Sequence, residues 1–222
     1  MVISSKDSGI SNAMQAMLAS LENESLSIDK NRHGEFSVKI ANTLQEREAV
    51  FRLGYQIYLE KGYIKENAQE WLVQNYDADP ETVILMVEDQ DKGLVASVTL
   101  VFDGNLKLPA EKIYGSEIRD LKQKGEKMVE ISRLVINPDI RNSKEVLVLL
   151  FNYLVIYSYL NKNYTSLVIE VNPRHKNYYK TLLNFDEIGS EKACPSVQNA
   201  PAILLFLPLS RYQSEVIRCA NP

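Results

Sequence analysis

Apolar residues recur along the chain in two rhythms, and the rhythm changes where one element gives way to the next. Near the N-terminus Met14, Met17, Leu18 and Leu21 lie on one amphipathic helical stripe, followed by the polar run ENESLSIDKNRHGE. The pattern predicts an N-terminal helical arm over residues 1–34. A short strand, FSVKI at 36–40, opens the main domain. A helix follows from about Leu44 to Lys61, with Asn42 or Thr43 as N-cap and Gly62 as its stop. The β-rich runs Thr82 to Glu88 and Leu94 to Phe102 are separated by DQDKG, which is hairpin spacing and predicts antiparallel pairing. A polar stretch then contains a helix begun by Pro109. Next comes the strand MVEISRLVI at 128–136, ended by Asn137 and Pro138. The apolar run Val146 to Leu160, capped by Asn142 or Ser143, reads as a buried crossover helix. It leads to the strand SLVIEV at 166–171, closed by Asn172 and Pro173, so the three form a βαβ unit. A short helix from His175 to Leu183 and two strands, 186–190 and 202–207, complete the series.

This order mixes an antiparallel hairpin with one crossover helix between parallel strands. It predicts an α/β (α+β) fold with a mixed central sheet and helices on both faces. The division expected is an arm over 1–34, a domain over 35–210 and a tail over 211–222.

Composition narrows the function classes. The chain has 222 residues, 45% hydrophobic and 24% charged, close to the globular average. With 25 Lys plus Arg against 29 Asp plus Glu it is mildly acidic, which argues against nucleic-acid binding. The run 146–160 is shorter than the roughly 20 residues a transmembrane helix needs, and no signal-peptide pattern precedes it, so a cytoplasmic location is expected. Two cysteines, Cys194 and Cys219, make no disulfide framework. The two histidines, His33 and His175, make no multi-histidine metal site, and no metal is expected. Walker, GxGxxG, GxSxG and HExxH motifs are absent.

The segment EISRLVINPDIR at 130–141 carries the chemistry most readily, because a strand end running into a helix N-terminus is where open α/β sheets bind ligands. In strict alternation Glu130 shares a face with Ser132 while Arg133 lies opposite, unless a β-bulge brings both together. Glu130 is a candidate general base and Arg133 a candidate carboxylate clamp; the alternative is a structural ion pair. Arg141 and Lys144, with the basic run RHKNYYK at 174–180, predict a basic patch at the same sheet end, against the alternative of a solvated helix face.

Four collinear blocks, FRLGYQIYLEKGYI at 51–64, EISRLVINPDIR at 130–141, IEVNPRHKNYYKTLLNFDEIG at 169–189 and CPSVQNAPAILL at 194–205, resemble the long-chain N-acyl amino acid synthases. These are GNAT-fold acyltransferases related to the acyl-homoserine lactone synthases. The resemblance covers roughly residues 36 to 210. It implies transfer of a fatty acyl group from the phosphopantetheine thioester of an acyl carrier protein to the amine of an amino acid, with no permanently bound cofactor.

On that resemblance Glu130 becomes the base toward the attacking ammonium, and Tyr178 or Tyr179 the proton donor to the leaving thiolate. Arg133, Ser132, Tyr55, Tyr58 and Asn172 become the substrate-binding set, and the aromatics Phe51, Tyr55, Tyr58 and Tyr63, with Trp71 just beyond, form a movable lid over the acceptor site or, alternatively, are simply core. Arg141, Asn142, Ser143, Lys144, Arg174 and Lys176 become the carrier and phosphopantetheine-binding set, and a backbone N–H at a bulge would polarise the thioester carbonyl. An acyl tunnel would use Leu147, Leu150, Phe151, Leu154 and the strand 98–102, positions that a packed core also needs. CoA-dependent relatives carry a glycine-containing pyrophosphate loop, whereas the corresponding stretch here, DIRNSKE at 139–145, has no glycine. A carrier donor is therefore favoured over CoA. An acyl-homoserine lactone synthase and a non-catalytic module binding acyl groups or carrier protein are the other readings.

Overall fold

The computed structural model describes residues 32–33, 36–104, 106–158 and 164–211. All of the expected N-terminal arm except Arg32 and His33 lies outside the described residues, as does the tail beyond Arg211.

Eight strands form one sheet, with β1 at Arg32–His33, β2 at Phe36–Ile40, β3 at Val83–Asp89 and β4 at Gly93–Phe102. The others are β5 at Met128–Ile136, β6 at Ser166–Val171, β7 at Asp186–Cys194 and β8 at Ala200–Pro208. Their order is β1-β2-β3-β4-β5-β6-β8-β7, and among the described residues β5–β6 is the one parallel pair. Among the described residues four α-helices accompany them: α1 at Leu44–Glu60, α2 at Glu111–Gln123, α3 at Ser143–Ile156 and α4 at Lys176–Leu183. The hairpin and the βαβ unit are present as expected. The 186–190 strand is longer than expected, continuing through polar residues to Cys194 as a sheet edge with two register shifts.

Alternation along the strands sorts the core onto two faces. On one face Val98, Leu100, Val129, Ile131, Leu167 and Leu205 pack under α3 and α4. On the other, Val101, Met128, Val168 and Leu204 pack under Tyr114, Ile118 and Leu121 of α2, while Ile84 and Met86 meet Val50 and Phe51 of α1. Of the proposed tunnel residues, Leu147, Leu150, Phe151 and Leu154 are closed into the α3 core.

Local chemistry starts and stops the helices where the sequence places the signals. Thr43 caps α1 through a capping box: its Oγ1 accepts from Glu46 N–H at 3.2 Å, and Glu46 Oε2 accepts from Thr43 N–H at 2.9 Å. After the last turn Gly62 takes a φ of +68°, a left-handed conformation that favours glycine. For α3 the N-cap is Asn142 rather than Ser143, without a side-chain capping bond.

Two departures from regular pairing shape the site. Paired residues connect β5 to β6 only from Met128↔Ser166 to Ile131↔Ile169, so the C-terminal part of β5 leaves β6 and opens a cleft. Between Ser97↔Val135 and Thr99↔Ser132, β5 uses one residue more than β4. That extra residue makes a bulge at Arg133, whose φ is +46°. A non-glycine residue held left-handed costs on the order of 1–3 kcal/mol, so the surrounding contacts must hold it there.

Candidate functional site

The cleft between β5 and β6 widens into a cavity of about 540 Å³, closed on its other sides by the end of α1, the segment before β3, the start of α2 and the turn after β7. Glu130, Ser132, Arg133, Glu170, Asn172, Tyr58, Tyr63, Tyr76, Tyr179, Lys112 and Cys194 all line it.

Glu130 is 2% exposed, and its Oε2 accepts the backbone N–H of Ala110, immediately before α2, at 2.8 Å. Burial pushes its carboxyl well above the usual carboxylate range. The nearby Glu170 carboxylate adds to the rise, and the Ala110 N–H opposes it. A carboxyl with a raised pKa is suited to take a proton near neutral pH. Glu170 follows Val168, the register partner of Glu130, by two residues and so points from the same face of the sheet. Burial raises its pKa too, and a hydrogen bond donated by the Cys194 thiol at 3.4 Å acts the other way. Cys194 Sγ also lies 2.9 Å from Ser196 Oγ, and burial is the first cause of its raised thiol pKa.

The bulge carries Arg133 round to the face of Glu130 and Ser132, and its guanidinium is then consumed by the protein itself. Nη1 donates to Leu72 O at 2.8 Å and to Asp77 Oδ2 at 2.7 Å, while Nη2 donates to Asp77 Oδ1 at 2.6 Å and to Thr99 Oγ1 at 2.8 Å. The group sits 4.9 Å from the Phe51 ring centre, with Nε lacking a partner. Arg133 is thus a buried tie between the bulge and the segment 72–77, and its ion-pair partner is Asp77 rather than Glu130. The same segment brings Tyr76, whose Oη stands 2.9 Å from Ser132 Oγ. Burial pushes the Tyr76 phenol up to about 12, with the Arg133 charge pulling against it.

Of the two tyrosine candidates, Tyr179 lines the cavity and packs against Phe151 and Phe185, whereas Tyr178 lies outside the lining. Burial raises both phenols. Tyr58 lines the cavity, edge-on to Tyr63, and burial raises its phenol. Tyr55 faces a separate hollow beside Arg52 and Glu60. Asn172 reaches the cavity while its Oδ1 caps the turn after β6 by accepting Arg174 N–H at 3.2 Å. Phe51 belongs to the α1 core, with its ring tilted against that of Trp71.

The expected carrier-binding set separates into groups. Arg141 and Asn142 are exposed ahead of α3, and Ser143 and Lys144 are exposed in its first turn. Arg174 is exposed and donates to Tyr63 Oη at 2.6 Å, tying the basic segment to the cavity wall. Lys176 is paired with Glu187 at 2.9 Å. Beside Arg174 lies Lys61; burial and then the Arg174 charge lower its pKa, and the same two causes, with Lys61 third, lower that of His175.

Glu170, Lys112, Tyr76 and Cys194 were not among the residues singled out from sequence. Only Glu170 carried a readable signal: it is the lone charge in the apolar strand SLVIEV, as Glu130 is in the first half of MVEISRLVI. Among the described residues no cluster of three or more His, Cys, Asp or Glu side chains could hold a metal ion, and no helix is long and apolar enough to cross a membrane.

The family described as N-acyl amino acid synthase FeeM matches residues 49–208. Among solved structures the chain is similar to FeeM, an N-acyl amino acid synthase from uncultured soil microbes. The two share 24% identity and a TM-score of 0.70 over 81% of this chain and 93% of that one. It is similar to the AHL synthase LasI at 16% identity and a TM-score of 0.60, covering 80% of this chain and 91% of that one. An acyl-CoA N-acyltransferase from Pseudomonas aeruginosa shares 19% identity and a TM-score of 0.53 over 77% of this chain and 97% of that one. No curated protein sequence matches significantly. The shared architecture is the GNAT-like acyltransferase fold.

Proposed function

The chain belongs to the FeeM N-acyl amino acid synthase family and is an N-acyltransferase, and from that premise we propose that it moves a long-chain fatty acyl group from the phosphopantetheine thioester of an acyl carrier protein to the amine of an amino acid. The observation that carries this reading is Glu130, a buried carboxyl aimed into the cavity at the opening of β5 from β6.

In the proposed reaction the thioester arm lies in the β5/β6 cleft with its carbonyl carbon within the cavity. The acceptor enters as an ammonium and gives one proton to Glu130. The freed amine attacks the carbonyl carbon, so that a C–N bond forms and the C–S bond breaks. The departing thiolate takes a proton from Tyr179, the second proton lost by the nitrogen restores that phenol, and Glu130 returns its proton to solvent. Thioester and ammonium therefore become amide and thiol with the net release of one proton. Burial raises the carboxyl pKa, so Glu130 can accept a proton from the acceptor without remaining strongly acidic toward it.

A carrier protein is favoured as donor by the glycine-free stretch Asp139 to Glu145, which runs into the first turn of α3. CoA would bring a pyrophosphate, whose close approach to backbone N–H groups is eased by glycine. The carrier arm brings a single phosphate, for which exposed Arg141, Lys144 and Arg174 supply charge without needing that approach.

The test is a donor competition. Full-length protein is given a long-chain acyl carrier protein or the matching acyl-CoA with a pool of the twenty amino acids, and products are read by mass spectrometry. N-acyl amino acid from the carrier donor is the result expected. Product mainly from acyl-CoA would overturn the choice of donor.

A further inference from the structure

The proposed reaction uses Glu130 and leaves a second, half-buried carboxyl group and one lysine of the same cavity without a role. Glu170 points from the face that carries Glu130, and both line the cavity. Among the described residues neither has a cation within ion-pair distance: the Lys and Arg pairs there go to other carboxylates. Glu130 receives one backbone N–H, and Glu170 receives a thiol hydrogen bond at 3.4 Å, a weak donor. A carboxylate can accept about four hydrogen bonds, so both keep most of their capacity for something that enters the cavity.

Lys112 is the counterpart. It lines the same cavity, is exposed, and is in no ion pair among the described residues, while its charge acts on both Glu130 and Glu170. It also stands in the first turn of α2, where the helix dipole disfavours a cation, so helix stability does not explain its place. Arg133 cannot take the role of a carboxylate clamp, because Asp77 and Thr99 already occupy its guanidinium.

The cavity therefore offers carboxyl groups without a cation to receive an ammonium and one unpaired lysine ammonium to receive a carboxylate, the two kinds of partner that an α-amino acid zwitterion requires. We infer that Glu170 and Lys112 recognise the acceptor, Glu170 receiving its α-ammonium beside Glu130 and Lys112 receiving its α-carboxylate. The acceptor class is then a free α-amino acid and not a simple amine or a carboxyl-capped derivative. The inference rests on the proposed function and deepens it by separating two tasks: Glu170 holds the ammonium while Glu130 takes its proton. The Cys194 thiol serves as the support that orients Glu170.

The test uses full-length protein, a long-chain acyl carrier protein as donor and the acceptor that mass spectrometry selects from the twenty amino acids. Steady-state constants are measured for that amino acid and its carboxamide with wild type, Glu170→Gln and Lys112→Met. Glu170→Gln is expected to raise the acceptor KM by roughly tenfold or more with a much smaller change in kcat. Lys112→Met, an exposed substitution that leaves the core intact, is expected to raise the KM for the free acid by roughly tenfold and leave that for the carboxamide unchanged. Unchanged KM values in both variants, or equal weakening of acid and carboxamide in Lys112→Met, would overturn the inference. Saturation-transfer NMR with the same pool and no donor separates it from the reaction itself. Amino acid binding to wild type that is lost in both variants upholds the inference even where no acylation is found, a result that counts against the proposed function alone. No binding to wild type overturns it.

Discussion

Replacing Asp77 by asparagine isolates the contact that holds the bulge in place. The Arg133 and Asp77 side chains are 2% and 3% exposed, and their two hydrogen bonds of 2.7 and 2.6 Å form a bidentate pair. Asparagine keeps the shape of the side chain and removes its charge. The guanidinium then retains the Leu72 carbonyl and Thr99 hydroxyl as partners, with Nε already lacking one. Leaving a buried charge without its counter-ion costs about 3–5 kcal/mol. The left-handed backbone at Arg133 adds strain that this pair offsets. For a chain of this size about 1 kcal/mol corresponds to about 2–4 °C in Tm, so the expected fall is roughly 6–20 °C. Denaturant unfolding of wild type, Asp77→Asn, Arg133→Met and the Asp77→Leu/Arg133→Met double variant completes the assay. Each single change is expected to destabilise strongly, and the double change to recover most of the loss, because two apolar groups leave no charge unpaired. A loss below about 1 kcal/mol for Asp77→Asn would refute the reasoning, since a loss that small is typical of exposed pairs.

Glu130→Gln is expected to abolish turnover and at the same time stabilise the fold above the ordinary carboxylate range. Because burial makes the folded carboxyl titrate above its ordinary value of 4.5, the folded state holds a proton that the unfolded state has lost. Wild-type stability therefore falls as pH rises from that value through the folded pKa, and thermal melts should show this slope flattened in the variant. For the same reason wild-type turnover should rise with pH across a window above the usual carboxylate range. Gly189→Ala would place a methyl 2.6 Å from the Tyr114 ring and 2.8 Å from Leu204 Cβ, so unfolding measurements should show a loss of about 1–3 kcal/mol from overpacking. Replacing Arg141, Lys144 and Arg174 by Glu should raise the KM for the acyl carrier protein at low salt, with a smaller effect at high salt. Unchanged kinetics at low salt would remove those residues from carrier docking.

The architecture was legible where burial imposes a rhythm on the sequence. MVEISRLVI, SLVIEV and the apolar run before them announced the parallel pair and its crossover helix because both faces of that region are buried. The C-terminal half of β7, SEKAC, was not legible, since a polar sheet edge carries no such rhythm. The site divides in the same way. Glu130 stood out as a charge in an apolar strand, and Glu170 carried the same mark in SLVIEV. Asp77 could not be found that way: it lies in a short polar turn, and its role depends on a bulge 56 residues away that only pairing with β4 defines. Arg133 was legible as a functional position but not in what it binds, because the bulge decides which partner its guanidinium meets.

The proposed role of the cavity is to join an acyl thioester to an amine with Glu130 as the proton acceptor. A rapid-quench single turnover with long-chain acyl carrier protein and the selected amino acid tests it most directly, reading amide and free thiol together for wild type and Glu130→Gln. Amide and thiol in equal amounts are expected from wild type, and from the variant intact thioester with carrier binding retained. Amide formed by Glu130→Gln at the wild-type rate, or thiol released by wild type without amide, would contradict it.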